Sequence, residues 1–501
     1  MSTPTRSTVD DALARDRLGA PSIIAFAMTA AAPLMVIGGV VTVGWATVSA
    51  ETGITGYPLA FVLIAAVLGL FSIGYMAMSK RINNTGAFYS YVAHGAGKPF
   101  GVAAAFIAFA AYNLLQFGLY GIFGATLNGF LDTKFGIDIP WWVLSLAAWG
   151  IVAALGMLRV DINGGVLLTI VAAEIIVVII FDAVFLANPA PGGYSLSTFA
   201  PDNLFLPGVG AILVTIFTAF VGFEAAAVYS EESRNRVRTV PIATYLALAV
   251  MVVFYAITAW AIAVTVGDDN LIATAGQQQS DMMFGLAAQR LGGAFIADIG
   301  IILLITSAFA AMLSYHNTVA RYTFALARER VLPKILARTG LKSGAPKNAS
   351  LLQSVLAVAV IAVYAATEWD PLVHLFFWLG MTGGFGVLVL VAATAISIVC
   401  YFIKNGGTEN IGTRYLAPGA AALILATIVY FAIDSYASLV TMNPDDPWWL
   451  FPSAYAVIAV IGITWALILK ATKPDDYARL GAATHTSPDN TVAPELTGDR
   501  A

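Results

Sequence analysis

Cysteine is almost missing from this chain. Cys400 stands alone, which excludes an internal disulfide and leaves no cysteine-based zinc site to read. Charge is scarce as well: Asp, Glu, Lys and Arg make up 11% of the 501 residues, against about 25% in soluble domains. The net charge of −4 is small and no basic cluster is present, so no nucleic-acid partner is expected. The first 18 residues are polar, with Asp10, Asp11, Arg15, Asp16 and Arg17. They lack the apolar core of a cleaved signal peptide, so the first apolar stretch is expected to remain as an anchor. There is no Walker-type phosphate loop. No His/Cys/Asp cluster or nucleophile–base pair is readable, which speaks against an enzyme and leaves no cofactor or metal to expect.

What the chain has is apolar length. Hydrophobic residues form 59% of it and the mean hydropathy is +0.82. Twelve stretches stand out, at 21–47, 57–79, 101–130, 140–158, 163–187, 207–230, 241–266, 291–326, 350–367, 371–403, 415–440 and 447–470. Most exceed the roughly 20 residues that cross a bilayer, which predicts tilted or broken helices; the fourth is barely long enough. A lipid environment leaves only helices or closed barrels, and the period-2 alternation of a barrel is missing. The fold class is therefore an all-α membrane protein with twelve transmembrane helices.

The distribution of Lys and Arg orients it. With the N-terminus cytoplasmic, only Lys134 and Arg290 of the 25 Lys and Arg fall in outward segments, and the other 23 lie on the inner side or at inner helix ends. That asymmetry is the positive-inside rule. Inner loops include 80–98, 159–161, 231–240, 328–347 and 404–414, while outer loops carry Asp132, Asp202, Asp268, Asp269, Asp281, Glu368, Asp445 and Asp446. Trp141, Trp142, Trp448 and Trp449 stand at outer helix starts, as interfacial anchors do. Both termini are expected in the cytoplasm of a multi-pass cell-membrane protein. The N-terminal tail is 1–19, and a polar C-terminal tail at 472–501, with His485-Thr486-Ser487-Pro488-Asp489, is expected to be disordered.

Two stretches have reasons to break. Met28-Thr29-Ala30-Ala31-Ala32-Pro33 contains a proline, which removes a donor and clashes with the preceding turn. Phe220-Val221-Gly222-Phe223-Glu224 puts a glycine and an ionisable residue at mid-membrane. Interrupted helices at matching places in two halves point to a transporter's midplane site. A kink at Pro or Gly is also common in ordinary transmembrane helices, and hydropathy alone does not divide the chain into two halves of five.

Four segments carry a resemblance. They are Ile82-Asn83-Asn84-Thr85-Gly86-Ala87-Phe88-Tyr89-Ser90-Tyr91 with Gly97-Lys98-Pro99-Phe100-Gly101; Phe220 to Glu224 with Glu231-Glu232 and Val240-Pro241; Asn317, Arg321, Ala327-Arg328-Glu329-Arg330-Val331-Leu332-Pro333 and Pro346-Lys347-Asn348-Ala349; and Lys473-Pro474-Asp475-Asp476-Tyr477 with Gly481. In this order, over roughly residues 13–480, they resemble the amino acid–polyamine–organocation (APC) superfamily of permeases, of the amino acid permease type. The resemblance implies a LeuT-like core at 20–403 of two inverted five-helix repeats, about 20–187 and 207–403, with helices eleven and twelve in 404–471. It also implies secondary transport by alternating access. Relatives usually carry Gly-x-Gly in helix one, where this chain has Ala30-Ala31-Ala32-Pro33, so a substrate without a carboxylate stays open.

Thr29, Ala30, Ala31, Ala32, Pro33, Asn113, Gln116, Phe220, Val221, Gly222, Phe223, Glu224 and Trp378 are the candidate substrate-binding residues. Glu174, Glu224 and His316 are the candidates for a coupling ion, with H⁺ the expected one. A carboxylate within a membrane helix costs about 2.5–3.5 kcal/mol or more and usually faces a cavity or a partner. Glu224 therefore either holds a substrate ammonium or a proton, or bonds the broken backbone of helix one. Glu174 falls near the place where proton-coupled relatives carry a lysine; it either protonates during the cycle or helps hold a cation, or pairs with a group on helix eight such as His316. Asn113, Gln116 and Tyr120 form a stripe at helical spacing. Trp378, Thr382, Gly383 and Gly384 offer an aromatic wall and a flexible point. Asp182 and Asp298 lie nearer outer ends and are expected to be solvated, and Arg321 is expected at an inner gate. The leading reading is a proton-coupled amino acid symporter or exchanger. An amine or polyamine importer is the alternative, and a membrane sensor or channel on the same scaffold is the reading of a different class.

Overall fold

The computed structural model describes residues 8–10, 18–82, 86–158, 160–340, 343–440, 442 and 445–481. The motif residues Asn83, Asn84 and Thr85, most of the N-terminal tail and the segment after Gly481 lie outside the described residues.

The described chain is almost wholly helical. Ten helices are long and apolar enough to cross a membrane: α1 (Ala20–Thr52), α2 (Tyr57–Arg81), α3 (Lys98–Phe135), α5 (Asn163–Ala187), α7 (Val237–Val266), α8 (Phe295–Arg328), α9 (Lys347–Thr367), α10 (Pro371–Asn405), α11 (Gly412–Asp434) and α12 (Leu450–Thr472). Two further apolar helices are shorter, α4 (Trp141–Gly156) and α6 (Val209–Ala219). Every apolar stretch of the sequence is thus helical, and the chain is an all-α multi-pass membrane protein. The eleventh stretch ends sooner than its apolarity suggests: α11 stops at Asp434 and a separate turn of helix, Tyr436–Leu439, follows.

Both expected breaks are present. Residues Ala20–Ala31 of α1 end at Ala32, which adopts φ 47 and ψ 70. A residue before proline is driven out of the right-handed helical region, and Ala32 turns the chain before Pro33 restarts it. Val36–Val41 then winds as a π-helix, which the sequence does not announce. The α6 helix ends at Ala219, the chain turns through Phe220 to Glu224, and Ala225–Val228 resumes. Gly222 sits at φ 121 with Ala30 and Ala27 against it, so an added Cβ would lie 2.6 Å from the Ala30 Cβ and 2.7 Å from the Ala27 carbonyl oxygen. Only glycine takes that conformation readily. The two breaks therefore touch at the centre of the bundle.

α1 packs against α5, α7 and α8, while α3 packs against α8, α10 and α12. Helix α10 begins with a π-helical run, Pro371–Trp378, capped by Asp370 Oδ1, which accepts from Leu372 N and Val373 N at 2.8 Å each. Near the N-terminus, strand Thr8–Asp10 pairs antiparallel with Arg338–Gly340. Leu18 N donates to Glu232 O at 3.0 Å and Arg234 N donates to Leu18 O at 3.1 Å. The closing motif also docks there: Gly481 N donates to Tyr89 Oη at 2.8 Å and to Glu329 Oε2 at 2.6 Å. Two short helices, Leu271–Gln278 and Met282–Leu291, join α7 to α8.

Candidate functional site

A cavity of about 40 Å³ lies beside the helix breaks. Ala30, Ala31, Met35, Val36 and Val40 of α1 form one wall, and Thr218 and Ala219 at the end of α6 form another. Leu115 and Leu119 of α3, Tyr315 of α8, and Phe376, Gly380 and Met381 of α10 complete it. A buried water needs roughly 10–15 Å³ of such space, so the cavity has the volume of a few waters and must widen to admit a larger solute. A second, larger cavity of about 350 Å³ has Thr47, Thr126, Gln279, Ser280 and Asp370 among its lining. Phe376 borders both cavities.

Beneath the central cavity the chain is closed by aromatic and ionic contacts. The rings of Phe26 and Tyr229 stack at 4.4 Å, and Ser314 Oγ donates to Phe26 O at 2.7 Å. Arg321 forms a two-point ion pair with Glu232, with both side chains 1% exposed. Its Nη1 also donates to Asn317 O and Oδ1 at 3.1 Å each, and the guanidinium lies 5.0 Å from the Tyr229 ring centre. A fully buried charge pair is tolerated when the remaining donors are satisfied, as they are here.

The two mid-membrane carboxylates differ from the sequence expectation in what they touch. Glu174 Oε2 accepts from Ser307 Oγ at 2.9 Å and from Leu34 N, just past Pro33, at 3.4 Å. Its Oε1 is buried without a hydrogen-bond partner. Glu174 is thus the group that reaches the broken backbone of α1. It does meet α8, through Ser307 instead of His316, whose Nε2 lies 2.7 Å from Ser350 Oγ on α9. Glu224 bonds neither α1 nor the central cavity: Oε1 accepts from Tyr112 Oη at 2.5 Å and Oε2 accepts from Gly222 N at 2.9 Å. It closes the turn of its own helix break, satisfying a backbone donor left by the interruption.

Of the other candidates, Ala30 and Ala31 face the cavity, while Thr29 Oγ1 donates back to Ala25 O at 2.6 Å. Ala32 and Pro33 make the turn itself. Phe220 packs on Phe61 and Tyr255, and Phe223 on Phe71, so both rings point into the bundle beside α2. Val221 contributes a carbonyl that accepts from Tyr315 Oη at 3.4 Å. Asn113 Nδ2 donates to Phe109 O at 2.6 Å. Gln116 is bonded by Gln353 of α9, bridging helices. Trp378 stands against His374 and Phe451, about half a turn around α10 from Phe376 and Gly380 on the cavity wall. Of the two aspartates expected to be solvated, Asp182 Oδ2 accepts from Thr258 Oγ1 at 2.8 Å, and Asp298, partly exposed, pairs with Lys134 at 2.7 Å. Met35, Leu115, Tyr315, Gly380 and Met381 are lining residues that sequence reasoning missed. Apolar residues in a membrane helix carry no signal of which face they occupy.

Comparison with known proteins agrees with this arrangement. Residues 23–463 match a family model described as amino acid permease. The chain is similar to the branched-chain amino acid permease BcaP of Lactococcus lactis, 24% identical over 336 residues that cover 63% of this chain and 70% of that protein. It is similar to the lysine-specific permease LysP of the same organism, 23% identical over 378 residues, or 71% and 73% of the two chains. The aromatic amino acid transport protein AroP of Escherichia coli is 27% identical over 241 residues, 46% of this chain and 51% of that one. These relatives are transporters rather than enzymes. The chain belongs to the amino acid permease family within the APC superfamily.

Proposed function

We propose that the protein is a secondary transporter that moves amino acids across the cell membrane by alternating access, coupled to protons. The observation that carries this reading is the contact of the two helix breaks at Gly222 and Ala30, beside a small cavity. Broken helices expose backbone donors and acceptors suited to an amino acid's carboxylate and ammonium. In this reading twelve helices cross the membrane. Residues 20–187 and 207–403 are inverted repeats that rock about the cavity, α11 and α12 stand outside them, and both termini are cytoplasmic. Ala30, Ala31 and the backbone of the Phe220–Glu224 turn, whose side chains are engaged elsewhere, contribute to substrate binding.

Glu174 is the coupling group. It joins the α1 break to α8 through Leu34 N and Ser307, so gaining or losing a proton there changes how α1 is held. An amine importer would require a free carboxylate at the cavity, and both Glu224 oxygens are engaged by Tyr112 and Gly222, which favours the amino acid reading.

The test is uptake into proteoliposomes under an imposed proton gradient, a sodium gradient, or neither. One pH unit corresponds to about tenfold accumulation for a one-proton symporter. Accumulation of an amino acid that collapses with the proton gradient is expected. Glu174→Gln should abolish it while exchange of labelled for unlabelled substrate persists. Gradient-driven accumulation retained by Glu174→Gln rejects the coupling role, and accumulation of amines alone rejects the substrate class.

A further inference from the structure

Gly380 occupies an unusual position among the glycines. It lies in the helical part of α10, buried, on the wall of the central cavity. Among the described residues it is the one buried glycine whose added Cβ would meet no atom within 4 Å. Its neighbour in the next turn shows the contrast: a Cβ on Gly383 would lie 2.7 Å from Leu115 Cγ and 2.8 Å from Ala111 O, so close packing of α10 on α3 accounts for that glycine. No packing accounts for Gly380. A glycine inside a helix is less stable than alanine there, so its lack of a side chain serves the cavity instead of the fold.

The surrounding wall states what fills that space. Leu115, Leu119, Met35, Val36 and Met381 are apolar, and Thr218 and Tyr315 are the only side chains among the lining residues with a hydroxyl. Thr218 Oγ1 is committed to Val214 O at 2.8 Å. No charged side chain lines the cavity. A cationic or anionic substrate side chain would lose its hydration with no counter-charge to meet it. An apolar one would lose nothing and gain the contacts.

We infer that Gly380 sets the size limit for the substrate's side chain and that this side chain is apolar. The inference rests on the proposed amino acid transport and adds the substrate class and the residue that measures it. A methyl group at position 380 projects into the cavity without disturbing the packing of α10, so it competes with the substrate for the same volume. A difference of one methylene in an apolar pocket is worth about 10–200-fold in discrimination.

The experiment is uptake of alanine, valine, leucine, lysine and glutamate by proteoliposomes holding the full chain. Wild type is compared with Gly380→Ala, Gly380→Val and the control Gly150→Ala. Gly150 lies on the exposed face of α4, and an added Cβ there also meets nothing within 4 Å. Wild type should prefer valine or leucine. Gly380→Ala should lower the leucine-to-alanine ratio of kcat/KM by about 10–200-fold, Gly380→Val more, and Gly150→Ala not at all. Because the valine variant can fail to fold, the alanine variant decides, with its thermal stability measured alongside and expected to equal or exceed wild type. An unchanged ratio in a stable Gly380→Ala protein overturns the size role. Preference of wild type for lysine or glutamate overturns the apolar class while leaving amino acid transport standing. Uptake of no amino acid overturns the underlying reading and the inference with it.

Discussion

Glu232→Gln isolates the inner seal. Glu232 and Arg321 are each 1% exposed and joined at two points. The amide retains one acceptor and loses the charge, leaving a guanidinium buried with Asn317 and the Tyr229 ring as its remaining partners. Removing one member of a buried pair costs about 3–5 kcal/mol. The two surviving Asn317 bonds and the ring face put this case at the low end, about 3 kcal/mol, since a cation over an aromatic face contributes roughly 0.5–2 kcal/mol. The double variant Glu232→Gln with Arg321→Met removes the stranded charge and should regain most of the loss. Denaturation of the purified protein in lipid nanodiscs reads both numbers as a double-mutant cycle. A second readout follows access to the cavity. With Cys400→Ser as background, Thr218→Cys places a single thiol on the lining. In the proposed orientation, weakening this seal should speed its labelling by an impermeant reagent applied from the cytoplasmic face. The reasoning is refuted if Glu232→Gln costs less than about 1 kcal/mol, which would make the pair no stronger than a surface one, or if the double variant is no more stable than the single.

Three further outcomes are expected. Gly222→Ala forces a Cβ to within 2.6 Å of Ala30 Cβ at φ 121; overpacking and backbone strain cost about 1–3 kcal/mol each, so the variant should melt well below wild type and lose transport. Tyr112→Phe deletes the 2.5 Å bond to Glu224 and should cost about 2 kcal/mol in stability, the range for a hydrogen bond to a charged group; a loss below about 1 kcal/mol would assign Glu224 the proton instead. At the end of α2, Arg81 donates to Glu409 through Nε at 3.1 Å and Nη2 at 2.6 Å. Partial burial pushes the Glu409 carboxyl up, but the Arg81 hydrogen bonds and charge outweigh this and hold it below its ordinary value. A depressed carboxyl contributes above its unfolded value, near pH 4, and the contribution fades as pH falls through the depressed one. Glu409→Gln should therefore cost at most about 1 kcal/mol at pH 7, and the stabilities of wild type and variant should converge below pH 4.

Much of the fold is legible because it rests on properties a sequence displays. Apolar length marks each helix, and the chemistry of Pro33 and Gly222 marks the breaks, since each acts on its own backbone. What depends on a partner far along the chain is not legible. Glu174 and Glu224 are recognisable as mid-membrane carboxylates, yet nothing local says that the first reaches Leu34 and Ser307 or the second Tyr112. Phe220 and Phe223 flank a break and still turn away from the cavity. The π-helical runs at 36–41 and 371–378 leave no mark on apolar periodicity, and they decide which residues of α1 and α10 face inward: Phe376 and Gly380 line the site, whereas Trp378 lies off it. Gly380 and Gly383 look alike in sequence and differ only in what stands opposite.

The contacts on the two sides of the central cavity differ in kind. Toward the larger cavity, Phe376 borders both spaces. On the other side the chain stacks Phe26 on Tyr229, with the Arg321–Glu232 pair and the Leu18 backbone laced to Glu232 and Arg234. A ring swings on one torsion, in the nanosecond range when free, but these layers must part together. In the proposed transport cycle, an amino acid analogue with a side chain too bulky to pass Phe376 would be held at that ring and block transport without being carried through.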